Sequence, residues 1–266
     1  MGRKLALAQK QKYPADSKAA QLHEGKTIRL RSVPQPKSES QRFYLESLTE
    51  ADITIGTGPA GSGKSYLAMA VAVKKLLDGD VSRVVITRPI CEAGESLGFL
   101  PGTFEEKISP YLLPLLDALQ DLVGPTQAKK LLDDKKIEFA PLAYMRGRTF
   151  NNSYVILDEA QNTTIEQMKL FITRIGNYAQ FAVNGDVRQS DLRGVAENGL
   201  EWVVRKLAGR VQGINVIEFS NTDVVRSEIL AKMLPFIESP DERVVRTPRT
   251  ATSRHSFVPP AILRAS

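Results

Sequence analysis

The sequence predicts an α/β fold in which a mostly parallel β-sheet is covered by helices on both faces. Short, nearly continuous runs of valine and isoleucine, typical of strands buried on both faces, alternate with stretches of helical apolar spacing. Parallel strands need long crossover connections, and helices between the runs can supply them. In addition, a glycine-rich turn joins the first such run to the first such helix, as in a strand–loop–helix unit.

The predicted elements follow one another through the middle of the chain. Strands are predicted at residues 53–57, 84–87, 137–139, 154–157, 180–183 and 216–219. Helices are predicted at residues 66–77 and near 104–122, 164–175, 195–208 and 224–237. Pro110 and Pro114 lie inside the second of these helices, so we expect it to be split or kinked.

Length and charge divide the chain into one domain and two tails. A chain of 266 residues with 42% hydrophobic and 25% charged residues suits one α/β domain at residues 39–238. Residues 1–38 form a basic arm that carries the basic excess behind the formal charge of +6 and is expected to be flexible. Such an arm attracts polyanions, although a purely solubilising tail is an equally good interpretation. Residues 239–266, rich in arginine, proline and serine, are predicted to form a second loose tail.

The scarcity of cysteine and histidine excludes several kinds of chemistry. Cys91 is the single cysteine, which excludes an internal disulfide and any multi-cysteine metal site, and we expect it to be a packed or idle thiol. The two histidines, His23 and His255, lie near the ends, so catalysis must rest on lysine, arginine, carboxylates or hydroxyls. No apolar run approaches the roughly 20 residues that cross a bilayer. A cytoplasmic protein without a membrane partner is expected.

The glycine-rich turn matches the phosphate-binding pattern G-x-x-x-x-G-K-[ST]. Glycines let the backbone approach a phosphate, successive amides can donate to its oxygens, and the following helix adds its positive end. Lys64 is predicted to reach the β- and γ-phosphates and the Ser65 hydroxyl to bind Mg²⁺. The pattern therefore predicts a nucleotide site formed by Gly58, Pro59, Ala60, Gly61, Ser62, Gly63, Lys64 and Ser65.

Two carboxylates follow the apolar run at residues 154–157. Asp158 is placed to hold Mg²⁺ through its waters, and Glu159 is placed to polarise a water for attack on the γ-phosphate. The alternative is that the pair caps the helix beginning near Thr163. Together with the phosphate loop, the pair favours a nucleotide hydrolase.

Two polar motifs resemble those of superfamily 1 helicases. Residues 158–162, Asp-Glu-Ala-Gln-Asn, resemble their second motif, and residues 184–189, Asn-Gly-Asp-Val-Arg-Gln, resemble their third. The resemblance implies that Gln161, Asp186 and Gln189 sense the γ-phosphate. Ordinary turn chemistry is the alternative for these residues.

A wider set of motifs resembles the PhoH-like ATPases, the phosphate-starvation-associated family. These motifs occupy residues 87–89, 98–102, 144–149, 158–162 and 184–186, within a resemblance that covers about residues 40–236. The resemblance implies a single RecA-like P-loop NTPase domain that binds ATP and Mg²⁺. It also implies a homo-oligomer, with a hexameric ring favoured, and action on RNA.

The same resemblance implies roles for several further polar side chains. Arg88, Arg146 and Arg148 become candidates for binding nucleic acid or a neighbouring subunit, because an arginine fork suits phosphate groups. Surface salt bridges are the alternative for them. Arg226 resembles the final helicase arginine, which one domain can contribute only to a neighbouring chain's site. Gln41 resembles an adenine-reading glutamine, although Ser38 and Ser40 nearby also suit helix capping.

Three functions remain open at this point. The first is a Mg²⁺-dependent ATPase, helicase-like, whose cycle is coupled to nucleic acid, with RNA favoured. The second is a protein that binds ATP to fix its assembly and turns over slowly. The third is a P-loop kinase for a small metabolite, which the adjacent Asp158 and Glu159 disfavour.

Overall fold

The computed structural model describes residues 28–31, 33–89, 104–192, 194, 196–224, 229 and 233, with the backbone alone at 104–111. The chain forms two units, Met1–Val225 and Arg226–Ser266, and every element named here belongs to the first. Its helices are α1 (Glu39–Glu50), α2 (Lys64–Asp78), α3 (Phe104–Val123), α4 (Pro125–Asp133), α5 (Ile165–Ile172) and α6 (Gly199–Leu207). Its strands are β1 (Ile53–Thr57), β2 (Arg83–Thr87), β3 (Ile137–Phe139), β4 (Ser153–Leu157), β5 (Gln180–Gly185) and β6 (Ile214–Glu218).

The six strands form one parallel sheet in the order β3-β2-β4-β5-β1-β6. This arrangement confirms the predicted α/β class and the RecA-like P-loop fold. β5 lies between β1, which precedes the glycine-rich turn, and β4, which precedes the two carboxylates. Because all strands run the same way, their carboxyl ends lie at one edge of the sheet.

Side chains alternate along each strand between two apolar cores. Val84 and Ile86 face the first core with helices α1 to α4, whereas Val85 faces the second core with α5 and α6. The same alternation separates Ala182 from Phe181 and Val183 on β5. Since both faces of the sheet are buried, its strands read as continuous apolar runs in the sequence, which is why they were predictable.

The predicted strands all occur, with ends that differ from the prediction by at most two residues. The helix predicted near 104–122 is one continuous α3 rather than a split helix. Each proline removes one hydrogen bond, and the burial of Leu115, Leu119 and Leu122 holds the helix together. The helix predicted at 224–237 falls almost entirely outside the described residues. Among the described residues, no helix is long and apolar enough to span a membrane.

Two helices were not predicted, and both carry recognisable start signals. α1 begins after Ser38, whose hydroxyl accepts a hydrogen bond from the Gln41 N–H at 3.2 Å. α4 begins after Gly124 with Pro125 at its first position, which suits a residue without an N–H. Ahead of α1, Ile28 and Leu30 pack against the first core, within the segment that the sequence predicts as an arm.

Helix α1 is held against the sheet by Tyr44. Its side chain is fully buried, packs edge-on against Phe219 at 5.3 Å, and donates its hydroxyl to Asn184 Oδ1. Burial holds the pKa of this phenol well above its usual value, so the hydroxyl remains a donor. The ring fits because β1 has a glycine at Gly56, where a Cβ atom would lie 2.8 Å from Tyr44 Cε2.

We predict that Gly56→Ala destabilises the protein by about 1–3 kcal/mol, because the added methyl group overpacks the Tyr44 ring. Denaturant unfolding of the purified variant measures this change. The same substitution in a Tyr44→Leu background is expected to cost less, since the far end of the ring is then absent. An equal cost in both backgrounds would contradict the steric explanation.

Candidate functional site

A cavity of about 240 Å³ opens at the carboxyl edge of the sheet. It lies where the loops that follow the neighbouring strands β4, β5 and β1 converge. Most of the predicted site residues that the structure describes meet here. The cavity is lined by Ala60, Gly61, Gly63, Lys64, Ser65, Tyr66, Asp158, Glu159, Gly185, Asp186 and Gln189.

The glycine-rich turn passes very close to the backbone of Phe219, which directly follows β6, the neighbour of β1 in the sheet. Gly58 has φ of 134°, and a Cβ atom there would lie 2.3 Å from the Phe219 carbonyl oxygen. Its N–H donates to the Gly185 carbonyl at 3.1 Å. Only glycine suits this position, and α2 starts directly after the turn, at Lys64. The predicted strand–loop–helix unit is therefore present.

Lys64 is folded back into its own loop. Its ammonium donates to the carbonyl oxygens of Gly58 at 2.7 Å and Pro59 at 2.9 Å, and to Ser62 Oγ at 3.0 Å. Burial lowers the pKa of this ammonium, and the carboxylates of Asp186, Asp158 and Glu159 oppose the shift. The Lys64 ammonium is thus already held at the loop, close to three carboxylates. It can exchange its bonds to the loop carbonyls for bonds to the oxygens of a bound phosphate.

A direct hydrogen bond joins the phosphate loop to the acidic strand. Ser65 Oγ donates to Asp158 Oδ1 at 2.5 Å, although β1 and β4 are separated by β5. Asp158 is only 6% exposed, and this burial raises the pKa of its carboxyl while the bond from Ser65 opposes the rise. The hydroxyl and carboxylate predicted to bind one metal ion are therefore in contact.

Glu159 lies beside Asp158, and both of its carboxylate oxygens have partners. Oε1 forms an ion pair with Arg88 Nη2 at 3.0 Å, and Oε2 accepts a hydrogen bond from Gln161 Nε2 at 2.6 Å. Its backbone is left-handed, with φ of 52°, which is uncommon for a residue other than glycine. Helix α5 is capped instead by Thr164, whose hydroxyl accepts a hydrogen bond from the Gln167 N–H. The capping interpretation of the two carboxylates is therefore wrong for α5.

Gln161 connects Glu159 to the loop after β5. Its Oε1 accepts the N–H of Asp186 at 3.0 Å, and its carbonyl accepts the Ser190 hydroxyl at 3.1 Å. Asn162 exchanges two hydrogen bonds with Asp191 across the same two loops. The two motifs that resemble those of superfamily 1 helicases thus form one hydrogen-bonded unit.

The two remaining predicted glutamines occupy different surroundings. Gln189 is exposed and lines the cavity, with its N–H donating to the Asp186 carbonyl at 3.0 Å. Gln41 is buried outside the cavity lining, where its amide donates to the Ser62 carbonyl and accepts the N–H of Lys37. In this structure Gln41 supports the phosphate loop from behind.

The predicted arginines divide into paired and exposed side chains. Arg148 forms a bidentate salt bridge to Glu138, with N···O distances of 2.6 and 2.7 Å. Its guanidinium carbon also lies over the Phe150 ring, 4.8 Å from the ring centroid. This pairing lowers the pKa of the Glu138 carboxyl, the direction expected for a stabilising contact. Arg146 is exposed, whereas Arg88 is paired with Glu159. Arg226 and Cys91 lie outside the described residues.

The residues at the cavity suit a nucleotide carrying a divalent cation. Mg²⁺ prefers hydroxyl, carboxylate and water oxygens, and Ser65 and Asp158 supply the first two of these within one hydrogen bond. The loop and Lys64 supply positive charge and a helix N-terminus for phosphates. Mg²⁺ commonly binds one or two carboxylates together with substrate phosphates and waters, which suits Asp158 beside the phosphate loop.

The parallel sheet, phosphate loop and acidic strand define a P-loop NTPase of the RecA-like type. A family model described as "PhoH-like protein" matches residues 34–238. The chain therefore belongs to the PhoH-like protein family, which confirms the resemblance of its motifs.

Individual relatives agree with this assignment. The chain is 48% identical to the PhoH-like protein of Bacillus subtilis over 210 residues, covering 79% of this chain and 64% of that protein. It is 50% identical to the PhoH-like protein of Mycobacterium tuberculosis, covering 79% and 58%. Protein PhoH of Escherichia coli is 41% identical, covering 74% and 56%. The chain thus spans about three fifths of its relatives' length.

Solved structures are more distantly similar. The UvsW helicase from bacteriophage T4 aligns with a TM-score of 0.43 at 13% identity, covering 73% of this chain and 64% of that one. The large terminase from a thermophilic bacteriophage aligns with a TM-score of 0.42 at 12% identity, covering 75% and 50%. The fold assignment rests on the strand order and the phosphate loop instead.

Proposed function

We propose that the protein binds ATP together with Mg²⁺ and hydrolyses the terminal phosphate. The observation that supports this most directly is the contact of Ser65 with Asp158, which lies beside Glu159 in the cavity that Lys64 also lines. Cation, metal ligands and a carboxylate base are the parts that phosphoryl transfer to water needs. The Asp158–Glu159 pair favours a hydrolase over a small-molecule kinase, in which water must be kept away from the phosphate.

Each of these side chains has a distinct task in the proposed reaction. The loop amides and Lys64 bind the β- and γ-phosphates, and Ser65 and Asp158 hold Mg²⁺. When bound, the metal ion neutralises charge that develops on the phosphate oxygens. Glu159 accepts a proton from water as the water oxygen bonds to the γ-phosphorus and the bond to the bridging oxygen breaks. Gln161, Asp186 and Gln189 sense the presence of the γ-phosphate.

Coupling to nucleic acid, with RNA favoured, is the second part of the proposal. Arg88 is held by Glu159, so the side chain proposed to bind nucleic-acid phosphate is also the partner of the proposed base. Each oxygen of Glu159 keeps a second lone pair, but the ion pair with Arg88 holds the carboxylate in one orientation. A phosphate that competes for Arg88 would release Glu159 to turn toward the attacking water and so stimulate hydrolysis. The basic residues 1–38 supply additional polyanion affinity.

Assembly into a ring, with a hexamer favoured, is the third part. Support comes from the resemblance of Arg226 to an arginine that completes a neighbouring chain's site. An arginine supplied by another chain can stabilise charge in the transition state of phosphoryl transfer. This makes activity dependent on assembly, in contrast to a monomeric enzyme.

We predict that Glu159→Gln retains ATP binding but lowers the turnover number about 10²- to 10⁴-fold, because a positioned base is lost. Lys64→Ala serves as the comparison, since it should lose ATP binding as well. Phosphate release and equilibrium nucleotide binding separate the two effects. Normal turnover in Glu159→Gln, without stimulation by RNA in the native chain, would favour the slowly cycling assembly protein instead.

We predict that Arg88→Gln raises the basal rate of ATP hydrolysis and loses most of its stimulation by polyuridylate, because Glu159 is then already released. Arg210→Gln is the matched control, since Arg210 is exposed in the turn before β6, at the amino edge of the sheet. Steady-state rates with and without polyuridylate measure both effects. An unchanged basal rate with undiminished stimulation would contradict a competing role for Arg88.

We predict that Arg226→Ala is inactive alone and regains activity when mixed with Lys64→Ala chains, which still offer Arg226 to a neighbour. The physical reason is that one intact site then combines groups from two chains. Hydrolysis rates across mixing ratios, with sedimentation of each mixture, provide the measurement. Mixed assemblies that form but stay inactive would argue against a shared site.

A further inference from the structure

The segment after β3 is rigidly anchored to the second core. Leu142 and Met145 are 4% and 0% exposed, and both belong to that core. Backbone hydrogen bonds from Tyr144 to Pro141 at 2.9 Å and from Arg148 to Met145 at 3.2 Å close the turn. The Arg148 bridge to Glu138 ties the end of the segment to β3 itself.

This anchoring holds an aromatic ring and a cation outward. Tyr144, between the two buried residues, is 58% exposed, and Arg146 next to the turn is exposed as well. Among the described residues Arg146 makes no ion pair, whereas Glu138 on β3 and Glu159 after β4 each form an ion pair with another arginine. A single exposed tyrosine needs no explanation, but Tyr144 shares its anchored turn with an exposed arginine two residues later.

The position of the ring places it at the functional edge of the sheet. The segment follows the carboxyl end of β3, and β3 pairs with β2, whose carboxyl end leads to Arg88. Tyr144 and Arg146 therefore lie at the same edge as the nucleotide cavity, on the side of β2 away from β4. Arg188, also exposed, follows β5 at this edge and adds positive charge.

We propose that Tyr144 is a stacking residue for an unpaired nucleobase, with Arg146 binding the adjoining phosphate. The inference rests on the proposed coupling to nucleic acid and adds the form of the ligand, a single strand. A ring face stacks on any exposed base, but in a duplex the base faces are already stacked on their neighbours. The bound nucleic-acid strand then runs along the carboxyl edge of the β-sheet, from Tyr144 toward Arg88.

The test compares two exposed tyrosines at opposite edges of the sheet. Tyr178 is 53% exposed and lies just before β5, at the amino edge, so Tyr178→Ala is the matched control. Fluorescence anisotropy with a labelled single-stranded oligouridylate measures affinity at fixed salt. We expect Tyr144→Ala to weaken binding at least about fivefold, Tyr144→Phe to bind as the native chain does, and Tyr178→Ala to be unchanged.

The outcomes separate this inference from the proposed function. A native chain that binds neither single strands nor duplexes would overturn both the coupling and the stacking role. Native binding with full affinity in Tyr144→Ala would overturn the stacking role alone. Equal weakening for an RNA duplex of the same length would also overturn it, because stacking requires an unpaired base. So would a change of oligomeric state in Tyr144→Ala with unaltered oligouridylate affinity, which would identify the ring as a contact between chains.

Discussion

The hydrogen bond between Ser65 and Asp158 is the contact on which the site depends. It joins the start of α2 to the end of β4 across an intervening strand, so it exists only if the sheet order and the register of β5 are both correct. A second hydrogen bond, from the Gly58 N–H to the Gly185 carbonyl, joins the same loop to the neighbouring strand β5. Together they make the geometry of the cavity a property of the whole sheet.

Local hydrogen-bond partners offset the burial of the two charged side chains at the centre of the site. The buried Lys64 and Asp158 each lose hydration, which lowers the pKa of the first and raises that of the second. Each is offset by a local partner, the loop carbonyls for the ammonium and the Ser65 hydroxyl for the carboxylate. A nucleotide with its metal ion would replace these partners with stronger ones of the same sign.

The sequence was most informative where one physical requirement selects one residue type. The phosphate loop, the apolar strands and the acidic pair at 158–159 are of this kind, and the structure has all three. Helix α1 was missed because its apolar contacts are few and widely spaced, with Tyr44 and Leu48 carrying its burial. The Arg88–Glu159 pair could not be predicted, since 70 intervening residues separate its members and surface charge pairing leaves no periodic signal. The continuity of α3 depends on tertiary burial that outweighs its prolines.

The buried amide of Gln41 has a consequence for how the domain is delimited. Its oxygen, Oε1, accepts a hydrogen bond from the Lys37 N–H, and its nitrogen, Nε2, donates one to the Ser62 carbonyl in the phosphate loop. A polypeptide trimmed to begin at α1 would keep every strand and every catalytic candidate among the described residues. It would, however, lack the Lys37 N–H that donates to the Gln41 side chain. The position of the phosphate loop therefore depends in part on backbone that lies upstream of the first helix.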